Sequence, residues 1–156
     1  MNDKHLNIYN NLIKLTRNKF FYENLNNKDT FSDRLIIFFF HFAFFLKVYK
    51  KSDQKELQNI YDFIFKQIEL SIREIGYGDA TVNKKMKEFI NTFYKIVDKT
   101  ELWNNLDLNK KTEFISSFLD MNVESLHFVN YLNKYIDFLT KNNLNYFSKD
   151  VLRMKF

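Results

Sequence analysis

Apolar residues recur along this chain at intervals of three and four, the period of a helix face packed on a core. Leu6, Tyr9, Leu12 and Ile13, with Thr16 at the end of the stripe, predict a helix over Lys4–Thr16. A short aromatic turn, Phe20-Phe21-Tyr22, and a polar loop over Asn24–Asp29 follow. Thr30-Phe-Ser-Asp33 has the layout of a capping box, with an aspartate where Glu or Gln is usual, and opens a helix running to Lys50. Ser52-Asp53 caps the next helix, to Ile75, where Leu57, Ile60, Tyr61, Ile64, Ile68, Ile72 and Ile75 share one side. Past Glu74-Ile-Gly-Tyr-Gly-Asp79, a helix over Ala80–Asp98 carries Val82, Met86, Phe89, Ile90, Phe93, Ile96 and Val97. Helices over Lys110–Asp120 and Val123–Lys141 come next, and Phe147–Phe156 is expected to pack back as a last helical turn.

One segment breaks the one-sided pattern. Leu35–Leu46 (LIIFFFHFAFFL) is apolar nearly all round, which predicts the buried centre of a bundle. A partly exposed groove for a hydrophobic client is the other reading. The run is about twelve residues, short of the roughly twenty that cross a bilayer, and the first residues carry no apolar stretch of a signal peptide. A soluble protein of a reducing compartment is expected.

Composition narrows the class. The 156 residues contain no proline and two glycines, too few for the turns of an all-β fold. The expectation is therefore an all-α fold, one domain over residues 1–156, with about six to seven helices around the aromatic helix. The absence of cysteine excludes disulfides, thiolate zinc sites, iron–sulfur clusters and a cysteine nucleophile. His5, His41 and His127 stand apart, with no His-x-x-x-His or Glu-x-x-His pair, and no G-x-S-x-G elbow exists, so neither a metal, a cofactor nor an enzyme is expected. A buried, hydrogen-bonded core histidine is the plain reading of His41. The net charge of +5 would suit nucleic acid or an anionic membrane, yet the bias toward Phe, Asn, Lys, Ile and Tyr also follows AT-rich codons. The four arginines, Arg17, Arg34, Arg73 and Arg153, are the more informative cations.

Both glycines sit in one corner. Gly76 follows the last apolar residue of a helix, where a left-handed residue ends it, and Asp79 precedes the next helix as an N-cap. The pair reads as a tight turn, or as a place where a partner's backbone comes close. Before it, Asp62, Lys66, Glu69 and Arg73 lie on one helical face and can pair along it. After it, Lys84, Lys85, Lys87 and Lys95 line a polar face, either simply solvated or facing ribosomal RNA or anionic lipid.

The run from Tyr61 through Asp62, Glu69, Ser71-Ile-Arg73-Glu74-Ile-Gly76-Tyr-Gly78-Asp79 resembles the core motif of the ubiquinol–cytochrome c chaperone family, an aspartate-containing helix followed by Leu-Arg-Glu-Met-Gly-Val-Gly-Asp. Lys84, Lys85, Met86 and Phe93-Tyr94 continue the likeness. Upstream, Arg17, Phe21-Tyr22, Asp29, Arg34 and His41 fall where that family has R…FY…D…GR…LH. Met121-Asn122 and Val151-Leu152-Arg153 extend it thinly. Asp33 stands where the family has Gly, Gln67 and Glu69 where it often has aspartates, and Lys47 where it often has Arg.

The resemblance implies an assembly factor for respiratory complex III, a short bacterial member that holds newly made cytochrome b at the cytoplasmic face of the inner membrane. It implies as partner-binding or motif residues Arg17, Tyr22, Asp29, Arg34, His41, Asp62, Arg73, Glu74, Gly76, Gly78, Asp79 and Lys84. Arg34, Arg73 and Glu74 are expected to be partly buried and hydrogen-bonded around the glycine corner. The client is expected on exposed aromatics of Phe20-Phe21-Tyr22 or Tyr146-Phe147, beside Lys84, Lys87 and Lys95, with ribosome or anionic membrane as further partners. DNA and small-molecule substrates are not expected. The alternatives are a helical interaction module or regulator with no respiratory role, and a small enzyme on an unusual helical site.

Overall fold

The structure is a computed structural model that describes residues 3–18, 20–23, 30–119 and 126–149. The expected loop over 24–29, the segments 121–122 and 151–153, and the rest of the tail beyond 149 lie outside the described residues. Among the described residues there is no strand. The helices are α1 (Asp3–Thr16), α2 (Phe20–Glu23), α3 (Phe31–Tyr49), α4 (Gln54–Glu74), α5 (Asp79–Glu101), α6 (Leu108–Phe118), α7 (Leu126–Lys141) and α8 (Leu144–Phe147), with a 3-10 turn at Trp103–Asn105. The all-α expectation holds: six long helices and two single turns form one bundle.

α3 is the axis of that bundle, and α1, α5 and α7 pack on it. Every residue from Ile37 to Phe45 is buried. At about 100° per residue, consecutive buried positions need a partner on every side, and the phenylalanines find theirs on the surrounding elements. Phe38 meets Tyr9 of α1, with ring centroids 5.9 Å apart. Phe39 and Phe42 meet Phe93 of α5 at 5.1 and 5.3 Å. Phe40 meets Phe114 of α6 at 5.4 Å and Phe128 of α7 at 5.7 Å. Phe44 meets Trp103 at 5.1 Å, and Phe45 meets Phe147 of α8 at 5.0 Å. Most of these pairs are tilted or edge-on, which the ring quadrupole favours.

Side-chain caps set the helix starts. Thr30 accepts from the Asp33 amide at 3.1 Å and Asp53 from the Glu56 amide at 3.2 Å. Asp107 accepts from the Lys110 amide at 2.8 Å, so α6 begins two residues before the expected Lys110. α5 runs three residues past the expected Asp98, because Thr100 is buried and its carbonyl accepts from Lys47 Nζ at 2.7 Å. The last described turn is α8, earlier than the expected Phe147–Phe156. Asn143 caps it, and Asn11 Nδ2 of α1 donates to the Phe147 carbonyl at 2.7 Å, tying the two ends of the described chain together.

Candidate functional site

The motif residues separate into three places: a cavity, a corner and the core. The cavity lies where the end of α1, the start of α3 and the last turns of α4 meet, with a volume of about 180 Å³. Arg17, Tyr22 and Arg34 line it together, over apolar ground from Ile13, Leu35, Phe38 and Ile68. Arg17 sits here because α1 ends at Thr16, and its amide still bonds the Ile13 carbonyl at 3.1 Å. Tyr22 is half-buried, and its hydroxyl donates to the Thr16 carbonyl at 2.6 Å. Tyr9 also lines the space. Burial pushes its phenol up, against the opposing pull of the Ser71 hydroxyl and the Arg17 charge. The Arg34 side chain is exposed and belongs to this cavity, so the expectation that it is partly buried around the glycine corner is corrected. Asp29 lies outside the described residues.

The corner joins α4 to α5. Gly76 has φ 107, the left-handed conformation that ends helices and that a Cβ disfavours. Its amide bonds the Arg73 carbonyl at 3.0 Å. Gly78 has φ −73 and ψ 165, ordinary extended backbone, and itself holds the N-cap position of α5. Asp79 is therefore the first helical residue and not the cap, which corrects the expectation. Its carboxylate instead accepts from Arg73 Nη1 at 2.5 Å across the corner, and Arg73 Nε also donates to Glu69 at 3.4 Å. The pairing with Asp79 holds the Arg73 guanidinium above its ordinary pKa, and Lys66 with Arg73 holds the Glu69 carboxyl below its own. Arg73 near the end of α4 and Asp79 at the start of α5 also complement the two helix dipoles. The expected partial burial of Arg73 and Glu74 is not found: both are exposed, because the corner projects past the last packed turn of α4. Asp62 accepts from Gln58 at 2.9 Å on the same solvent-facing helix.

Exposed apolar side chains gather around this corner. Leu70, Ile75 and Tyr77 are 41%, 55% and 42% exposed. Lys85 lies over the Tyr77 ring, 4.8 Å from its centroid, and Lys84 and Lys87 are exposed on the same helix, as is Lys95 further along. A Cβ added at Gly76 or Gly78 would meet nothing within 4 Å, so neither glycine makes room for another part of the chain. The aromatics expected to receive a client are placed differently. Phe21 and Phe147 are buried, Phe21 against Phe128 at 5.1 Å, and only Tyr146 is exposed. The Phe20 side chain lies outside the described residues.

His41 is wholly buried on α3. Nδ1 lies 2.8 Å from the Ile37 carbonyl, which can only accept, so this nitrogen carries the proton. Nε2 then accepts from the Tyr131 hydroxyl at 2.7 Å. The Tyr135 hydroxyl donates to the His41 carbonyl at 2.9 Å. Burial pushes the imidazole down to about 4, with the Ile37 bond opposing, and pushes the phenols of Tyr131 and Tyr135 up. The group is neutral and fixed, a polar pin between α3 and α7. Trp103 is a similar pin that the periodicity did not mark: its indole N–H donates to Asn133 Oδ1 at 3.0 Å. No group of three or more His, Cys, Asp or Glu that could hold a metal occurs among the described residues. No helix among them is long and apolar enough to cross a membrane.

Fold and surface together define a helical bundle whose described polar motif residues, His41 apart, lie outside the core, most of them around one projecting corner and one small cavity. The chain belongs to the ubiquinol-cytochrome C chaperone family, whose sequence model matches residues 23–102, just over half of it. The match takes in α3, α4, the corner and all of α5. No curated protein and no solved structure matches the chain.

Proposed function

We propose that the protein is an assembly factor of the cytochrome bc complex that holds newly made cytochrome b, or an early intermediate containing it, through the α4–α5 corner. The observation that carries this reading is Gly78. The chain has two glycines, and Gly76 needs its glycine for the positive φ. Gly78 has an ordinary backbone conformation and open space where its Cβ would be. As an N-cap the position would take Ser, Thr, Asp or Asn as well as glycine, and no described neighbour crowds it, whereas a partner's backbone lying on the corner would call for glycine itself. The surroundings suit an unassembled membrane helix: Leu70, Ile75 and Tyr77 offer apolar surface, and Lys84 and Lys85 stand beside it. Those lysines would also favour an anionic membrane surface, at about 1 kcal/mol for each one near the lipid.

The test is affinity purification from the native host, with cytochrome b quantified by mass spectrometry, for the wild type and for Gly78→Leu. The larger residue has room in the isolated fold and is only a poorer N-cap, so Gly78→Leu should lose no more than about 1 kcal/mol of stability and should lose cytochrome b. Equal recovery of cytochrome b with both proteins would remove the corner from the proposal.

A further inference from the structure

The cavity at the end of α1 has features that client binding at the corner does not use. Its floor is apolar, from Ile13, Leu35, Phe38 and Ile68, and its lining includes two guanidiniums. Among the described residues that line it there is no carboxylate. The neutral hydroxyls are already engaged: Tyr22 donates to the Thr16 carbonyl, Thr16 to the Leu12 carbonyl at 2.9 Å, and Ser71 to the Gln67 carbonyl at 3.0 Å. Arg17 is exposed at this space and pairs with no carboxylate among the described residues. A cation with donors to spare at the mouth of an apolar cavity is complementary to an anion that carries an apolar tail.

We propose that this cavity binds an acidic amphiphile, with a phosphate or carboxylate head on Arg17 and an alkyl tail on the apolar floor beside Arg34. A planar guanidinium fork matches either head with two parallel hydrogen bonds. The volume of about 180 Å³ sets the tail. A cavity of roughly 150 Å³ takes benzene, so about six carbons fit inside and any longer chain continues outward. The space is smaller than the roughly 300–1,000 Å³ of sites that enclose drug-sized ligands, and it holds one chain end and no folded partner. A membrane lipid and a free alkyl phosphate or fatty acid share this chemistry.

The experiment is calorimetric titration of the whole protein with hexyl phosphate, hexanoate, inorganic phosphate and hexanol. Hexyl phosphate or hexanoate should bind one site roughly tenfold or more tighter than either inorganic phosphate or hexanol, because head and tail act together. Arg17→Gln should weaken that binding roughly tenfold at an unchanged melting temperature, and Arg17→Lys should restore part of it. Co-sedimentation with phosphatidylglycerol vesicles and with phosphatidylcholine vesicles separates the sources. Retention on the anionic vesicles alone, lost in Arg17→Gln, identifies a lipid; no retention, with hexyl phosphate still bound, identifies a free amphiphile. The proposal is overturned if hexyl phosphate and hexanoate bind no tighter than inorganic phosphate, if a folded Arg17→Gln protein binds them equally, or if an acidic peptide displaces them at lower concentration. Cytochrome b capture reads the corner and is unaffected by that failure.

Discussion

At the scale of single residues, the protein uses polar groups in two ways. His41 is a structural histidine whose neutral form alone fits its site. The unfolded chain takes up a proton as pH falls below about 6.5, whereas the native imidazole resists until about 4. Stability is therefore fully present above pH 6.5 and is lost as pH falls through that window, by on the order of 3 kcal/mol at its lower end. His41→Gln should show a smaller loss of urea midpoint between pH 6.5 and pH 4.5 than the wild type. Equal losses would mean that other groups set the acid sensitivity. Arg73 is the opposite case. It pairs with Asp79 and Glu69 at the solvent-exposed surface, and exposed pairs contribute little to stability. Arg73→Ala should leave the melting temperature nearly unchanged, and any defect should show in client recovery instead.

At the scale of elements, α3 was legible from its composition and the corner was only half legible. Twelve nearly continuous apolar residues can be satisfied only at the centre of a bundle, and the phenylalanines contact α1, α5, α6, α7, α8 and Trp103 in turn. Phe40→Ala, which opens a void between α3, α6 and α7, should cost about 3–5 kcal/mol in urea unfolding. The corner's turn could be read from Gly76, because a left-handed residue ends a helix in any context. Its exposure could not, since periodicity says which side of a helix is apolar and not where the neighbouring helices stop. That is why Arg73 and Glu74 are expected partly buried and stand exposed. The aromatics at 20–22 and 146–147 misled for a related reason: short segments carry no period, and Phe21 and Phe147 fill gaps that only the assembled bundle creates. The two glycines give a paired prediction. Gly76→Ala should cost about 1–2 kcal/mol through its positive φ, while Gly78→Ala should cost less, about 0.5 kcal/mol, through the poorer N-cap. A larger loss for Gly78→Ala in thermal unfolding would show that the fold itself requires that glycine.

At the scale of the whole molecule, the proposed surfaces lie on the family-matched part of the chain and its N-terminal neighbour. Residues 23–102 supply the axis helix, the corner and the lysine face, and Arg17, just past the end of α1, joins the cavity. α6, α7 and α8 mainly close the core behind α3, which fits the thinner likeness there. The cavity's composition could be suspected only after folding, because Arg17, Arg34 and Ser71 are far apart in sequence and meet through the packing of three helices. The central claim is that this bundle holds cytochrome b before the cytochrome bc complex is complete. The most direct measurement is the amount of cytochrome b that co-purifies with the protein from its native host, compared with the assembled complex in a strain lacking the gene. The account predicts enriched cytochrome b with the wild-type protein, depletion with Gly78→Leu, and a fall in assembled complex without a fall in cytochrome b transcript in the deletion strain. Absence of cytochrome b from the purified material, together with a normal level of assembled complex in the deletion strain, would contradict it.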